Sequence, residues 1–256
     1  MAELIRQMTE QTTTRLERIA ALAEQGGLDA AVELVVESVV DGGVLQAFGT
    51  GHSQAFAMEI AGRAGGLIPT ARVALSDLVV VGGQPASVLH DGSSLERDPA
   101  VVDALWALTD AGPADVFLIA SNSGVNGSVV GYALAAKEHG HPVIAVTSLE
   151  HTARVTPKHP SGKRLSEIAD VVIDNLAPYG DATLSLEGDI AGDIPVGAVS
   201  SMTAAFIAQL ITILAAERLA ASGATPPVYL SANIPGGDEH NHRLESRYGD
   251  RLRRHA

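Results

Sequence analysis

Two short turns in this chain carry the residue types needed to hold an anion. The first, Gly49-Thr50-Gly51-His52-Ser53, follows an apolar run at 44–48 and opens a stretch of helical spacing. The second, Ser121-Asn122-Ser123-Gly124-Val125-Asn126, follows an apolar run at 116–120 and opens another, at 127–139. Strand, small polar turn and helix form the layout that points backbone N–H groups and hydroxyls at an anion. Glycines allow the left-handed backbone and the close approach of a ligand. Ser53 is placed to cap its helix, with Gly51 and His52 beside it. Ser121, Asn122, Ser123 and Asn126 supply hydroxyls and amides just ahead of theirs. A neutral cradle of this kind suits a dianion that must also leave. Each turn alone could be an ordinary capped loop, and a lone Gly-x-Gly is a weak signal. Two of them predict one pocket for a phosphorylated or similarly charged small molecule. The dinucleotide fingerprint fails here, because no glycine stands three residues after Gly51. No nicotinamide cofactor is expected.

The candidate proton-transfer groups lie nearby in sequence or near the C-terminus. Glu59 and Arg63 share one flank of the helix that begins at Ser53. As a surface ion pair they would contribute ~0.3–0.5 kcal/mol. As a base, Glu59 would stand about 9 Å along the axis from Ser53, at ~1.5 Å per residue. That span matches a sugar lying between a phosphate site and a base that removes a proton beside a carbonyl. His240 and His242, in Asp-Glu-His-Asn-His, read either as metal ligands or as an acid/base for opening a sugar ring. The acid/base reading at His240 is preferred, since short His motifs often match by chance. No metal ligand is assigned, and a divalent metal is the lesser reading. His52 and His90 are rivals for the acid/base role. His139, His141, His151 and His159 have no partner legible in the sequence, and His255 falls in a basic tail and reads as solvated.

The elements that would position these groups follow from the apolar pattern. The 256 residues are 46% hydrophobic but only 4% aromatic, so the core is one of Ala, Val, Leu and Ile. Apolar positions over 3–24 recur at helical spacing until Gly26-Gly27, and Asp29 can cap a second helix over 30–40. Strands are predicted at 44–48, 68–75, 116–120, 142–146 and 171–173, rich in Val and Ile without polar alternation, as parallel strands covered on both faces are. Helices are predicted at 54–64, 99–109 with Asp98 as cap, 127–139, 166–169 and 199–221. The sum is an α/β fold, a doubly wound parallel sheet of five strands. Residues 1–42 form an N-terminal helical extension, read as a dimer contact in preference to a cover for the sheet. Residues 43–256 form the sheet domain with a polar C-terminal segment. Two connections, 81–97 and 175–195, read as long irregular loops edging the pocket. The segment 231–242 is too rich in Gly and Pro for a helix.

Charge and composition restrict the partners. Thirty acids against 17 bases give a formal net charge of −13, which disfavours nucleic acid and anionic membranes. An anionic small molecule is still compatible, since backbone N–H groups can make a pocket locally positive. There is no cysteine, hence no disulfide, thiolate zinc site or cysteine nucleophile. No signal-peptide pattern is read at the N-terminus. The apolar stretch 198–219 is interrupted by Gln209, Thr212, Glu217 and Arg218 and reads as a buried helix. A cytoplasmic protein is expected.

These motifs resemble the sugar isomerase (SIS) domain family. The resemblance rests on FGTGHS, on SNSGVN, on VIAVTS ending at Ser148, and on HPSGKRLSEIADVVIDN, and runs from Val44 to Leu219. It implies a five-stranded parallel sheet flanked by helices, a homodimer or larger oligomer, and serine-rich turns that hold a sugar phosphate. Carried over, Ser53, Ser121, Ser123, Asn126 and Ser148 bind substrate. Glu59-x-x-Gly62-Arg63 looks like the glutamate-bearing helix of phosphoheptose isomerases, whose glutamate is an acid/base residue. The chain departs from that group in its last long helix, where VSSMTAAFIAQLITILAAE lacks the family's histidine. The expected activity is an aldose–ketose isomerase for a sugar phosphate, with Glu59 moving a proton through an enediolate and His240 assisting ring opening. A sulfonate is a similar oxyanion, so a sulfosugar fits the same turns. The alternatives are an amino-sugar phosphate lyase or etherase and a non-catalytic phosphosugar sensor.

Overall fold

The computed structural model describes residues 2–89, 94–187 and 193–252. Two helices come first, α1 (Ala2–Glu24) and α2 (Asp29–Val40). Strands and helices then alternate as β1 (Leu45–Gly49), α3 (Gln54–Ile60), β2 (Thr70–Val73), α4 (Asp77–Val80), α5 (Ser94–Arg97), α6 (Val102–Leu108), β3 (Val116–Ala120), α7 (Gly127–Glu138), β4 (Val143–Thr147), α8 (Leu149–Arg154) and β5 (Val171–Asp174). A hairpin of β6 (Ala182–Leu186) and β7 (Ile194–Ala198) leads into the long α9 (Ser200–Ala221), and α10 (Gly237–Glu245) follows.

The first five strands form one parallel sheet in the order β2-β1-β3-β4-β5, the doubly wound sheet the apolar runs predict. Every residue of β1, β3 and β4 is buried. Their side chains alternate between two cores, as the strand repeat requires. Leu45, Ala47, Leu118 and Val146 face the first core, built with α2, α3 and α9. Phe48, Phe117, Ile119 and Ala145 face the second, built with α6 and α7. α9 is long and apolar enough to cross a membrane by length and composition. It is instead seated in the first core through Ile207, Ala208, Ile211 and Ala215. α2 joins that core through Ala31, Val32 and Val35, whereas α1 buries Ile19 and leaves Ile5 65% exposed.

Several sequence expectations are corrected. The stretch 175–195 is not irregular throughout: β6 and β7 pair antiparallel within and just beyond it. Residues 81–97 likewise contain a short 3-10 turn at Ala86–Leu89 and α5. The C-terminal segment does form a helix, α10. Its glycines stand at the start and not inside: Gly236 adopts φ +78 as the cap, and Asp238 and Glu239 then occupy the first turn, where carboxylates favour a helix dipole. α3 ends at Ile60 and not at 64, because Gly62 turns the chain at φ +74. Leu28, not Asp29, stands at the N-cap of α2, and its side chain makes no capping bond. Asp98 caps the next helical stretch as predicted, accepting from the Ala100 N–H at 2.8 Å.

One carboxylate ties together the amino ends of the two central strands. Asp115 is fully buried just ahead of β3. It accepts from Val44 N at 2.8 Å, Gln46 Nε2 at 2.9 Å and Gly112 N at 3.0 Å, and pairs with Arg251 at 2.5 Å. Removing it leaves those donors unpaired. Asp115→Ala is expected to lower the unfolding free energy by about 3–5 kcal/mol, the range for breaking a buried charged pair. Arg251→Ala, which leaves three donors on the carboxylate, should cost less. Urea denaturation reads both, and an Asp115→Ala loss no larger than the Arg251→Ala loss would refute this role.

Candidate functional site

The strand order places the two serine turns side by side. β1 and β3 are adjacent and in register, Gly49 opposite Ala120, so the turns that follow them leave the sheet at one level. α3 then crosses to the first core and α7 to the second. The crevice between them is the switch point of a doubly wound sheet, where such folds bind ligands.

A cleft of about 240 Å³ opens there. The first turn supplies Gly51, His52 and Ser53, and the second supplies Ser121, Asn122, Ser123 and Asn126. Glu96, His151, Asp181 and Ser200 complete the wall. A narrow inner pocket continues between α3 and α9, past Phe56 and Ala204.

In the first turn the backbone folds tightly: a Cβ on Gly49 would stand 2.3 Å from the Ser53 carbonyl oxygen, and Gly51 adopts φ +55. Ser53 makes no capping bond, contrary to the simple N-cap reading, and its side chain lines the cleft. The second turn is held from within. The Ser121 hydroxyl accepts from Gly124 N at 3.1 Å, and Asn122 Oδ1 accepts from Asn175 Nδ2 at 3.1 Å. Asn126 Nδ2 donates to Glu96 Oε1, while Asn126 Oδ1 is buried with no partner. Buried polar groups are normally satisfied, so this oxygen is an acceptor awaiting a donor such as a hydroxyl.

Three wall residues were not legible as site residues from sequence. Glu96 comes from α5 and also binds the start of α7 through its backbone, its carbonyl accepting from the Ser128 hydroxyl at 2.7 Å. Asp181 adopts φ +70 and fastens the start of α9, accepting from Val199 N, Ser200 N and the Ser200 hydroxyl at 3.1, 2.8 and 2.6 Å. His151 stands on α8 with its ring 5.3 Å from that of Tyr179. Its Nδ1 accepts the Gly180 N–H at 3.1 Å, which leaves the proton of the neutral ring on Nε2. Burial pushes the His151 pKa below its usual 6.5, and the Asp181 charge opposes this only in part. The available signal was position: His151 and Asp181 follow β4 and β5, at the carboxyl ends of parallel strands.

Other predicted site residues lie elsewhere. Glu59 does not line the cleft. It pairs with Arg63 and accepts from Gln209 Nε2 at 2.6 Å on the α3–α9 seam. This is about one helical turn, ~5 Å, beyond Phe56 in the inner pocket. Arg63 is equally outside. Ser148 is fully buried and caps α8: its hydroxyl accepts from His151 N at 3.0 Å and donates to Ala177 O at 2.6 Å. It is a structural residue, not a cleft residue. His240 is at the other end of the sheet. Its Nε2 lies 3.0 Å from the Val228 carbonyl oxygen, and Val228 bridges to Leu67 just ahead of β2. Within one chain it is not brought to the serine turns. His90 and His255 lie outside the described residues. Among the described residues no three of His, Asp and Glu converge as a metal site.

Comparison with known proteins agrees with this architecture. A UPF0309 protein of Listeria monocytogenes is 40% identical over 222 residues, 87% of this chain and 88% of the relative. Another, of Geobacillus kaustophilus, is 35% identical over 253 residues, 97% of this chain and 96% of the relative. Among solved structures, a phosphoheptose isomerase from Francisella tularensis shares the fold, with a TM-score of 0.53 and 16% identity over 84% of this chain and 98% of that one. With residues 7–148 matching the SIS domain, the chain belongs to the SIS-domain family.

Proposed function

We propose that this chain binds a phosphorylated sugar in the switch-point cleft and interconverts its aldose and ketose forms. The observation that carries this reading is the convergence of two serine turns on one cleft that also holds a carboxylate and a histidine. The hydroxyls of Ser53, Ser121 and Ser123 hold the phosphate, and the unpartnered Asn126 Oδ1 accepts from a sugar hydroxyl. Membership of the SIS-domain family and the fold shared with a phosphoheptose isomerase support a sugar phosphate as ligand.

The reaction needs a base beside the carbonyl carbon and a donor to the carbonyl oxygen. The proton leaves one carbon, an enediolate forms, and the proton returns to its neighbour. His151, neutral near pH 7 with its proton on Nε2, serves as the donor. Glu96 serves as the base, since it is the glutamate in the cleft wall. A second reading puts the base at Glu59, supported by the Glu59-x-x-Gly62-Arg63 pattern and by the inner pocket that runs toward it. Oligomer formation and a cytoplasmic setting accompany the proposal.

Binding tests the cradle. Ser121→Ala combined with Ser123→Ala should weaken a sugar phosphate at least tenfold, since each hydrogen bond to a charged group contributes about 1.5–3 kcal/mol. Calorimetry across C4–C7 sugar phosphates measures this, and unchanged affinity would remove that turn from the site. Turnover tests the base. Deuterium exchange at C2 in D₂O should fall at least a hundredfold in Glu96→Gln, the lower range for general-base catalysis, and little in Glu59→Gln. The reverse pattern would move the base to Glu59, and no exchange with any sugar would leave a binding protein. The pH profile tests His151. Because its folded pKa lies below 6.5, the midpoint of the acidic fall in rate should lie below pH 6.5, as the ring gains its second proton. Loss of that acidic limb in His151→Gln would confirm the assignment, and an unchanged limb would overturn it.

A further inference from the structure

We propose that Asn175 is a positioning residue for the anion site: it fixes the side-chain amide of Asn122 so that the N–H end, and not the oxygen, is offered to the phosphate. The inference rests on the sugar-phosphate reading above and adds to it a residue outside the two serine turns.

The chain of bonds starts from a group that cannot turn over. The Ala177 backbone N–H donates to Asn175 Oδ1 at 3.0 Å. That bond assigns the two ends of the Asn175 amide. Oδ1 faces Ala177, and Nδ2 faces Asn122, donating to Asn122 Oδ1 at 3.1 Å. Asn175 is 2% exposed. Exchanging its ends would set donor against donor at Ala177 and acceptor against acceptor at Asn122, with little water to replace the lost bonds.

Asn122 lines both the cleft and the inner pocket. Its backbone is held as well, since its carbonyl oxygen accepts from Ser148 N at 3.2 Å and from the Thr147 hydroxyl at 3.3 Å. A side-chain amide carries its donor and its acceptor on one carbon, so holding one end decides the other. With Oδ1 directed at Asn175, Nδ2 stands on the opposite side of Cγ with two N–H bonds to give. A phosphate dianion only accepts, and a turn that presented the amide oxygen would repel it. The device spans the sheet. Asn175 follows β5, Asn122 follows β3, and β4 lies between these strands. Asn175 N donates to Thr147 O at 3.0 Å, so the amide reaches across from a backbone anchored to the end of β4.

The test is a double-mutant cycle on the full chain, with fructose 6-phosphate titrated calorimetrically. Asn175→Asp keeps the shape and the bond to Ala177 N. It turns the other end from donor to acceptor, which draws the Asn122 N–H end toward itself and away from the ligand. Affinity should fall about tenfold or more, as loss of a hydrogen bond to a charged group does. In an Asn122→Ala background the same substitution should change affinity by less than about twofold, because its effect passes through the missing amide. An equal loss in both backgrounds would mean that the new charge or a damaged fold acts by itself. That result, or unaltered affinity in Asn175→Asp, would overturn the proposal. NMR of the unaltered chain decides the question even where the variant fails to fold: the Asn122 side-chain amide protons should shift as the ligand is added. Asn122 protons that stay still while the sugar phosphate binds would overturn the positioning role and leave the sugar-phosphate reading standing. If the unaltered chain binds neither fructose 6-phosphate nor any other C4–C7 sugar phosphate, both fall.

Discussion

The site depends on one constraint, the in-register neighbourhood of β1 and β3. Val44 and Asp115, which lead into these strands, are 71 residues apart in sequence, so nothing local brings the two turns together. Burial sets the register. A slip by one residue would exchange Ala47 and Phe48 between the two cores, with every other side chain of the strand. Asp115 fixes the same strands from the other end, by accepting from Val44 N and Gln46 Nε2. With both strands so fixed, Gly49 and Ala120 finish level, and the turns after them face one crevice.

The cleft has a particular electrostatic character. Among the described residues neither Lys nor Arg lines it, although Glu96 and Asp181 do. On the proposed reading the serine turns hold the anion by neutral donors, which requires the two carboxylates to be occupied by others. They are. Asn126 donates to Glu96, and the start of α9 donates three times to Asp181. Asp181 achieves this in the left-handed region, which Asp tolerates better than most side chains. Its bonds also fasten the segment ahead of β6 to α9, so the hairpin is anchored beside the cleft. On the proposed reading, the arrangement suits a ligand that is bound firmly enough to react and released without breaking a buried ion pair.

The parts legible in sequence were those with local causes. Continuous Val and Ile runs marked the buried parallel strands, and Ser, Asn and Gly between an apolar run and a helix marked both turns. What failed needed the third dimension. His240 looked attractive because of its His-x-His neighbourhood, yet its segment packs with Ile68 and Tyr229 at the amino ends of the strands. His151 had no visible partner, because the groups that define it, Gly180 N and Asp181, lie beyond the next strand. Ser148 lies away from the cleft for a physical reason: a serine between strand and helix serves equally as ligand donor or helix cap, and here it is buried with its hydroxyl bonded to Ala177 O and His151 N. Glu96 sits in a Gly- and Ser-rich stretch that reads as solvent loop until the second turn is seen bonded to it.

The histidine missing from the last long helix now has a structural counterpart. What α9 presents to Glu59 is Gln209, whose amide can hold a carboxylate but cannot exchange a proton with it at neutral pH. Arg63 occupies the same oxygen of Glu59. Among the described residues the seam between α3 and α9 therefore has a well-held carboxylate and no acid bonded to it. The cleft one turn above has the complementary set, a neutral imidazole with a fixed tautomer and a glutamate in the same wall. A pair that must pass a proton through one substrate has to reach it from one space. On the proposed reading, this chain departs from the family's pattern in the last helix because its proton-transfer groups stand in the cleft itself, between the two turns that hold the anion.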